Sequence, residues 1–206
     1  MNGGTVDNFT INGQKVVTNS STIFVGGLKA DFAVGIKVEA EGPLDANGVI
    51  VAVKVAFRSN IKIEADASAV TATGLTVLGK AVAINSFTRV DNGPLANGQH
   101  VEVRALLDRD GNLIATRIVV RNADTRTFLQ GPVSAKDSTA GTLTILGVPI
   151  ITTGAEFRIS VDAVDQPVAK DAFFAQVNIG VTVIKVRWTT ADTTLAVKQA
   201  EIQLGK

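Results

Sequence analysis

The stretch Phe9-Thr10-Ile11-Asn12-Gly13 recurs twice along the chain, as Leu75-Thr76-Val77-Leu78-Gly79 and as Leu143-Thr144-Ile145-Leu146-Gly147. Each copy joins a short apolar, strand-like run to a glycine that favours a tight hairpin turn. The three glycines follow one another at nearly equal intervals, and the interval has the length of a small domain rather than of a solenoid rung. The sequence therefore predicts three copies of one β-rich unit.

Two further phrases follow each copy in the same order. The first begins at a glycine and occupies Gly35–Glu39, Gly98–Glu102 and Gly180–Val183. The second occupies Ala52–Lys54, Ala115–Arg117 and Ala196–Lys198, and its distance from the first is nearly the same each time. This regularity places the boundaries of the three units at residues 1–59, 60–125 and 126–206.

Composition favours folded, all-β units. Hydrophobic residues make up 46% of the 206 residues and charged residues 19%, which is enough apolar material to bury cores. Val, Ile and Thr are abundant and helical spacing is almost absent, so strands are favoured. A net charge of +1 gives no general attraction to nucleic acid or anionic lipid. The absence of cysteine excludes disulfides, thiolate nucleophiles and Cys-based zinc sites. No apolar stretch approaches the ~18 residues of a transmembrane helix.

Each unit reads as five strands with a connection between the third and fourth. This order is typical of the oligonucleotide/oligosaccharide-binding (OB) fold, so we predict three tandem small, OB-like β-barrels. A row of β-sandwich-like units is the alternative that the same strand count permits. The third unit carries an insertion in which Asp165 as N-cap and Pro167 in the first turn predict a short helix over Val168–Val177. Phe173, Phe174 and Val177 would form its buried face.

The hairpin between the second and third phrases predicts specific charge pairs. Two-residue loops at Ala46-Asn47 and Arg109-Asp110 would place Glu39 opposite Lys54 and Glu102 opposite Arg117.

The first unit is expected to lack most of its first strand. Only Met1–Asn8 precede Phe9, whereas the other units have a longer strand before the same phrase. Its sheet would then expose a strand edge. One interpretation is that a longer protein was trimmed here. The other is that a partner or a second copy supplies the strand.

No residue pattern points to catalysis. His100, the single histidine, is predicted on an outward face beside Glu102, without a residue to orient it as a base. The turn Asp108–Gly111 lacks the further ligands of a calcium loop, and Glu39 and Glu41 read as a solvated strand face. Phosphate-binding loops, metalloprotease helices and nucleophile elbows are absent from the sequence. We therefore predict a protein that is not an enzyme, with no catalytic residue, metal or cofactor.

A candidate ligand-binding site is predicted on the closing strands of the third unit. Lys185, Arg187 and Lys198 lie there, and Trp188, the sole tryptophan, ends the same strand. An apposition of Lys185 and Lys198 would attract an anion or an acidic partner. The alternative is that Glu201 neutralises the lysines while Trp188 covers the core. Nucleic acid is disfavoured as a ligand, because the chain has no tyrosine and most of its nine phenylalanines occupy core-like positions.

The repeated phrases resemble a bacterial family known only as domain of unknown function 5666. The resemblance is carried by the strand ending in Asn-Gly at Phe9–Gly13, the Gly-x-x-Val-Glu-Val strand at Gly98–Val103 and the closing Ala-x-Arg strand at Ala115–Arg117. Lys170–Ala175 together with Lys185–Trp188 resembles the long terminal variant of that family. The resemblance implies an exported protein, periplasmic, cell-surface or extracellular, and it supplies no catalytic residues.

These observations favour a non-enzymatic structural or protein-interaction module, able to self-associate by strand addition at the open edge of unit one. The strand Val49–Phe57 supports this hypothesis because it is apolar on both faces except at Lys54, so that it is either covered by a neighbouring unit or offered to a partner. The alternative is an OB-type binding module for oligosaccharide or nucleic acid.

Overall fold

The computed structural model describes residues 4–32, 36–108, 110–161, 164–189 and 196–203. The chain folds as an all-β solenoid of about three turns, one for each repeated unit. Among the described residues the only α-helix is a short one in the third unit.

Unit one contains short strands: β1 (Gly4–Thr5), β2 (Asn8–Ile11), β3 (Gln14–Val17), β4 (Ile23–Val25), β5 (Val38–Glu41), β6 (Ile50–Val51) and β7 (Lys54–Phe57), with a 3-10 helix at Lys29–Asp31. They form a four-stranded sheet in the order β1-β2-β3-β6 and a three-stranded sheet in the order β4-β7-β5.

Units two and three have longer strands. Unit two contains β8 (Ile61–Thr71), β9 (Gly74–Val77), β10 (Lys80–Ala83), β11 (Arg89–Asp91), β12 (His100–Leu107) and β13 (Leu113–Val120). Unit three contains β14 (Arg126–Asp137), β15 (Thr142–Ile145), β16 (Val148–Ile151), β17 (Glu156–Val161), β18 (Val164–Pro167), α1 (Lys170–Ala175), β19 (Val183–Thr189) and β20 (Gln199–Gln203).

The repeated phrase forms the same hairpin in all three units. Asn12-Gly13, Leu78-Gly79 and Leu146-Gly147 each form a two-residue hairpin turn, flanked by the strand pairs β2–β3, β9–β10 and β15–β16. Both residues of every turn have positive φ, as the primed hairpin turns require. The predicted internal repeat is therefore present at the level of backbone conformation.

The prediction of three tandem small β-barrels is wrong. In unit two β8 pairs with both β9 and β12, and in unit three β14 pairs with both β15 and β19. However, β8 also pairs with β14, through Lys62–Glu64 and Phe128–Gln130. Units two and three therefore share one continuous 13-stranded sheet. They also share one hydrophobic core, so that they are successive turns of a solenoid rather than separate OB-like units. The same continuity argues against a row of separate sandwich-like units.

Unit one has its own core, which unit two completes. Phe9, Val16, Val38 and Val55 are among its buried side chains, and Leu106 from β12 is packed with them at 3% exposure. Ile114 from β13 packs against the same cluster. Contacts between the units thus bury apolar surface that the short strands of unit one leave uncovered.

The predicted charge pairs are wrong, because the strand register of each hairpin differs from the predicted register by two residues. Glu41, not Glu39, lies opposite Lys54, and Glu102 lies opposite Val119 instead of Arg117. Each loop contains three residues rather than two, because Asp45 pairs with Val49 and Asp108 with Asn112 through backbone hydrogen bonds. A register shift along each hairpin adds the second residue of offset.

The helix in unit three is confirmed, but its predicted cap is wrong. Phe173 and Phe174 in α1 are buried, as is Val177 just after it. Asp165 instead belongs to the strand β18, and the helix follows Ala169 without a side-chain cap. The two phenylalanine rings pack near Phe157, so that tertiary contacts rather than capping stabilise this short helix.

Candidate functional site

The predicted cationic residues of unit three do not converge on one site. Lys185 lies opposite Glu201 in β20, and their side chains form a 2.8 Å ion pair. Trp188 points to the other face of β19 and is buried in the shared core at 4% exposure. The expected apposition of Lys185 and Lys198 is therefore absent, because Glu201 occupies the facing position.

Arg187 and Lys198 are the two predicted residues that remain exposed. Arg187 lies in β19 and Lys198 directly precedes β20, and the backbone N–H of Lys198 donates to the carbonyl of Arg187 at 3.0 Å. The structure thus brings together two of the four predicted residues, and their role in binding stays a prediction.

His100 is buried, contrary to the expectation of a surface histidine. It is 2% exposed, and its Nδ1 lies 2.9 Å from the Asp66 carboxylate. Its Nε2 lies 3.7 Å from Glu64 and has no hydrogen-bond partner among the described residues. The neighbouring side chains Glu64 and Asp66 of β8 lie beside the ring, and the connection after β13 passes next to the histidine, where Arg121 N–H donates to the His100 carbonyl.

A network of ion pairs surrounds Glu102, next to His100. Its carboxylate accepts hydrogen bonds from Arg121 at 2.5 Å and from Arg104 at 3.2 Å, and Lys62 lies 3.3 Å away. Burial raises the pKa of Glu102, but the Arg121 hydrogen bond and the charge of Lys62 outweigh burial and lower that pKa to about 2. Glu102 is therefore ionised at neutral pH, and its charge is neutralised by its neighbours.

These charged side chains border a polar concavity of about 470 Å³ between β8, β12 and the connection to unit three. Lys62 also lies 4.5 Å from the centre of the Phe128 ring, across the junction with unit three. Each carboxylate in this cluster faces a cation or His100. We therefore interpret the cluster as a set of structural ion pairs that stabilises the junction between units two and three. Within the described residues, no group of His, Asp or Glu is arranged to hold a metal ion.

Sequence reasoning missed this cluster, although a signal was present. The separation along the chain between Glu102 and Arg121 equals that between Glu39 and Arg58, which form the equivalent ion pair in unit one. The repetition of this spacing could have identified both pairs before the register was known.

In the described part of the chain, one edge of β5 in unit one has no partner strand. The equivalent strands β12 and β19 each have a partner on both sides. Among the described residues, β5 pairs with β7 alone. Because the backbone N–H of Arg58 donates to the Lys37 carbonyl, the alternating ladder directs the backbone groups of Val38 and Ala40 to the open edge. Such an edge can accept a further strand.

The apolar segment Val49–Phe57, which the sequence predicts to be either covered or offered to a partner, is partly covered and partly exposed. Val55 and Phe57 are buried in the core of unit one, whereas Val53 is 56% exposed. Ile23 on β4 is 64% exposed, on a strand that pairs with β7. Unit one thus presents apolar side chains near its sheet edges.

Comparison with known proteins identifies one family. The model of a family described as "Domain of unknown function (DUF5666)" matches residues 2–56 and again residues 64–119, which together are more than half of the chain. The two matches coincide with units one and two and are consistent with tandem copies of the domain. No curated protein and no solved structure matches the chain. Within the described part of the chain, no helix has the length and apolar character needed to cross a bilayer.

Proposed function

The chain belongs to the DUF5666 family of domains of unknown function, and we propose that it acts as a non-enzymatic structural or protein-interaction module that accepts a partner strand at the open edge of β5. The observation that carries this proposal is the difference between units. The edge that β8 covers in unit two and β14 covers in unit three has no partner strand among the described residues of unit one.

The pairing of unit two indicates what kind of strand would fit. There β8 runs antiparallel to β12, with Asp66 opposite His100 and Lys62 opposite Arg104. The equivalent positions in β5 and just before it are Lys37 and Glu41. A strand of the β8 type in the same register would place Asp66 opposite Lys37 and Lys62 opposite Glu41. Both pairs combine opposite charges, which supports this register. The pair between them would place Glu64 opposite Glu39, as Glu64 lies opposite Glu102 in unit two, where Lys62 contacts both carboxylates.

The test uses a synthetic peptide with the β8 sequence, residues 61–71, as the probe. We expect the labelled peptide to bind the intact chain in fluorescence anisotropy, and a scrambled peptide of the same composition to bind more weakly by at least about tenfold. Light scattering at increasing protein concentration tests whether a second copy also uses the edge.

Ala40→Pro is the diagnostic variant, because proline removes an N–H that faces the open edge and leaves the ladder with β7 intact. Ala40→Ser keeps that N–H and is the matched control. Peptide binding or self-association that is lost in Ala40→Pro and kept in Ala40→Ser supports the proposal. A strictly monomeric protein that does not bind the peptide contradicts it, as does equal binding by both variants when circular dichroism shows both to be folded.

We also propose that the protein is exported, in the periplasm, at the cell surface or in the medium. The support is the resemblance of its repeated phrases to a family whose members are expected to be exported. Immunodetection after cell fractionation tests this, and a protein recovered entirely with the cytoplasmic fraction contradicts it.

A further inference from the structure

A second feature, independent of the β5 edge, lies between units two and three. An open groove of about 1,040 Å³ runs between the β9–β10 hairpin and the start of β13 on one side, and β14 with the Leu146-Gly147 turn on the other. Its volume is slightly above the ~300–1,000 Å³ that small-molecule sites span. Its walls are mainly apolar, with contributions from Ala81, Ala83, Leu107, Ile114, Pro132 and Leu146.

Lys80 is a cation in this groove that forms no ion pair with any described residue. Its ammonium group lies beside the Leu146-Gly147 turn, 3.1 Å from where a Cβ on Gly147 would be. The acidic residue in the groove lining is Asp108, whose carboxylate accepts hydrogen bonds from the backbone of Asp110 and Asn112 and from the Asn112 side chain. The groove therefore combines mainly apolar walls with one cation, Lys80, and one carboxylate, Asp108, which form no ion pair with each other.

In unit one, the residue equivalent to Lys80 closes the corresponding space between the hairpin and the loop with a hydrogen bond. Gln14 is the equivalent of Lys80, and its side-chain amide donates to the carbonyl of Gly48 at 2.7 Å, bridging β3 to the loop before β6. In unit two the corresponding loop glycine is Gly111, and no hydrogen bond links it to Lys80 among the described residues. Lys80 extends toward unit three instead, so the groove stays open between the hairpin and the loop.

We propose that this groove binds a single-chain amphiphile, with its acyl chain along the apolar walls and its anionic head group at Lys80. The ammonium of Lys80, beside the Leu146-Gly147 turn, favours an anionic head group at that end of the groove, and the small side chains of Ala81 and Ala83 leave room for an unbranched chain. Single-stranded nucleic acid would need several cations and aromatic platforms, and the groove wall contains one lysine and no aromatic ring.

The test is a fluorescence titration of the full chain with dansyl-undecanoic acid, followed by displacement with unlabelled laurate. We expect saturable binding of one molecule per chain. Lys80→Gln should weaken binding by about 5- to 10-fold, whereas Lys15→Gln, on an exposed residue of unit one, should not change it. Ala81→Phe should fill the groove and abolish binding, and because Ala81 is exposed the variant is expected to fold.

Saturable binding that Lys80→Gln weakens and Ala81→Phe abolishes supports the proposal. Absence of saturable binding overturns it, as does binding that neither substitution alters while thermal unfolding shows both variants to be folded. Displacement of the probe by single-stranded DNA or an oligosaccharide, but not by laurate, overturns the assignment to an amphiphile.

Discussion

The guanidinium of Arg121 donates a 2.5 Å hydrogen bond to Glu102, whose side chain is only 5% exposed. The equivalent pair in unit one joins Arg58 to Glu39, whose side chain is 53% exposed. The two pairs have the same spacing and chemistry, and they differ in what covers them. The strand that carries Glu102 is flanked by β8, while the strand that carries Glu39 has an open edge among the described residues.

This difference predicts an acid-sensitive contribution from Glu102. Its pKa in the folded state, about 2, lies below the usual 4.5. As pH falls, the unfolded state takes up the proton first, so the stabilisation is present above pH 4.5 and is lost as pH falls toward 2. Urea denaturation at a series of pH values should show that Glu102→Gln lowers the free energy of unfolding at pH 7 and flattens its fall in this window.

Glu39→Gln is the matched control for that experiment, because its carboxylate is exposed and screened by solvent. An exposed ion pair contributes little to stability because solvent and salt screen it, so this variant should keep nearly the pH dependence of the parent chain. Identical pH profiles for Glu102→Gln and the parent would show that the buried carboxylate contributes no net stability.

The ion pair between Lys185 and Glu201 should contribute more to the stability of the fold than a fully exposed ion pair does. Glu201 is buried, so removal of its cationic neighbour leaves a carboxylate in a poorly solvated position. We expect Lys185→Met to destabilise the fold by up to about 3 kcal/mol. Lys198→Met, at an exposed position just before β20, should change the free energy of unfolding by less than about 0.5 kcal/mol. Equal effects of the two substitutions in chemical denaturation would contradict this.

Trp188 provides a direct optical check on the predicted binding site of unit three. It is the only tryptophan, and its burial predicts weak quenching by iodide in the native state and strong quenching after unfolding. A titration with an anionic polymer such as heparin should leave its emission unchanged. A saturable emission change at low salt that disappears at high salt would instead support a ligand site around Arg187 and Lys198.

The internal repeat could be read from the sequence because it depends on local backbone requirements. The turns at Asn12-Gly13, Leu78-Gly79 and Leu146-Gly147 need positive φ at two successive residues, and a glycine in the second place signals this directly. The apolar face of α1 could likewise be predicted from the sequence, because Phe173 and Phe174 are the large apolar residues of the insertion. These features involve neighbours that are close together along the chain.

Features that depend on contacts between distant strands could not be predicted from the sequence in the same way. The pairing of β8 with β14 joins segments that belong to different repeats and are far apart along the chain, and it turns separate units into successive turns of one sheet. The burial of His100 follows from what covers its strand, which alternation of apolar and polar residues does not specify. One additional loop residue after Asp108 and a register shift at Arg104/Ala105 together displaced the predicted partner of Glu102 by two residues, because strand register transmits every local insertion along the hairpin.

Leu106 links units one and two, and its truncation should loosen unit one in particular. The side chain belongs to β12 of unit two but is buried in the core of unit one. We expect Leu106→Ala to cost about 2–5 kcal/mol and to increase amide hydrogen exchange at Phe9 and Val55 more than at Ile145 in unit three. The next residue, Leu107, packs partly against the core of units two and three, so Leu107→Ala is the matched control and should not have this selective effect. Uniform exchange changes in both variants would show that unit one does not depend on this contact.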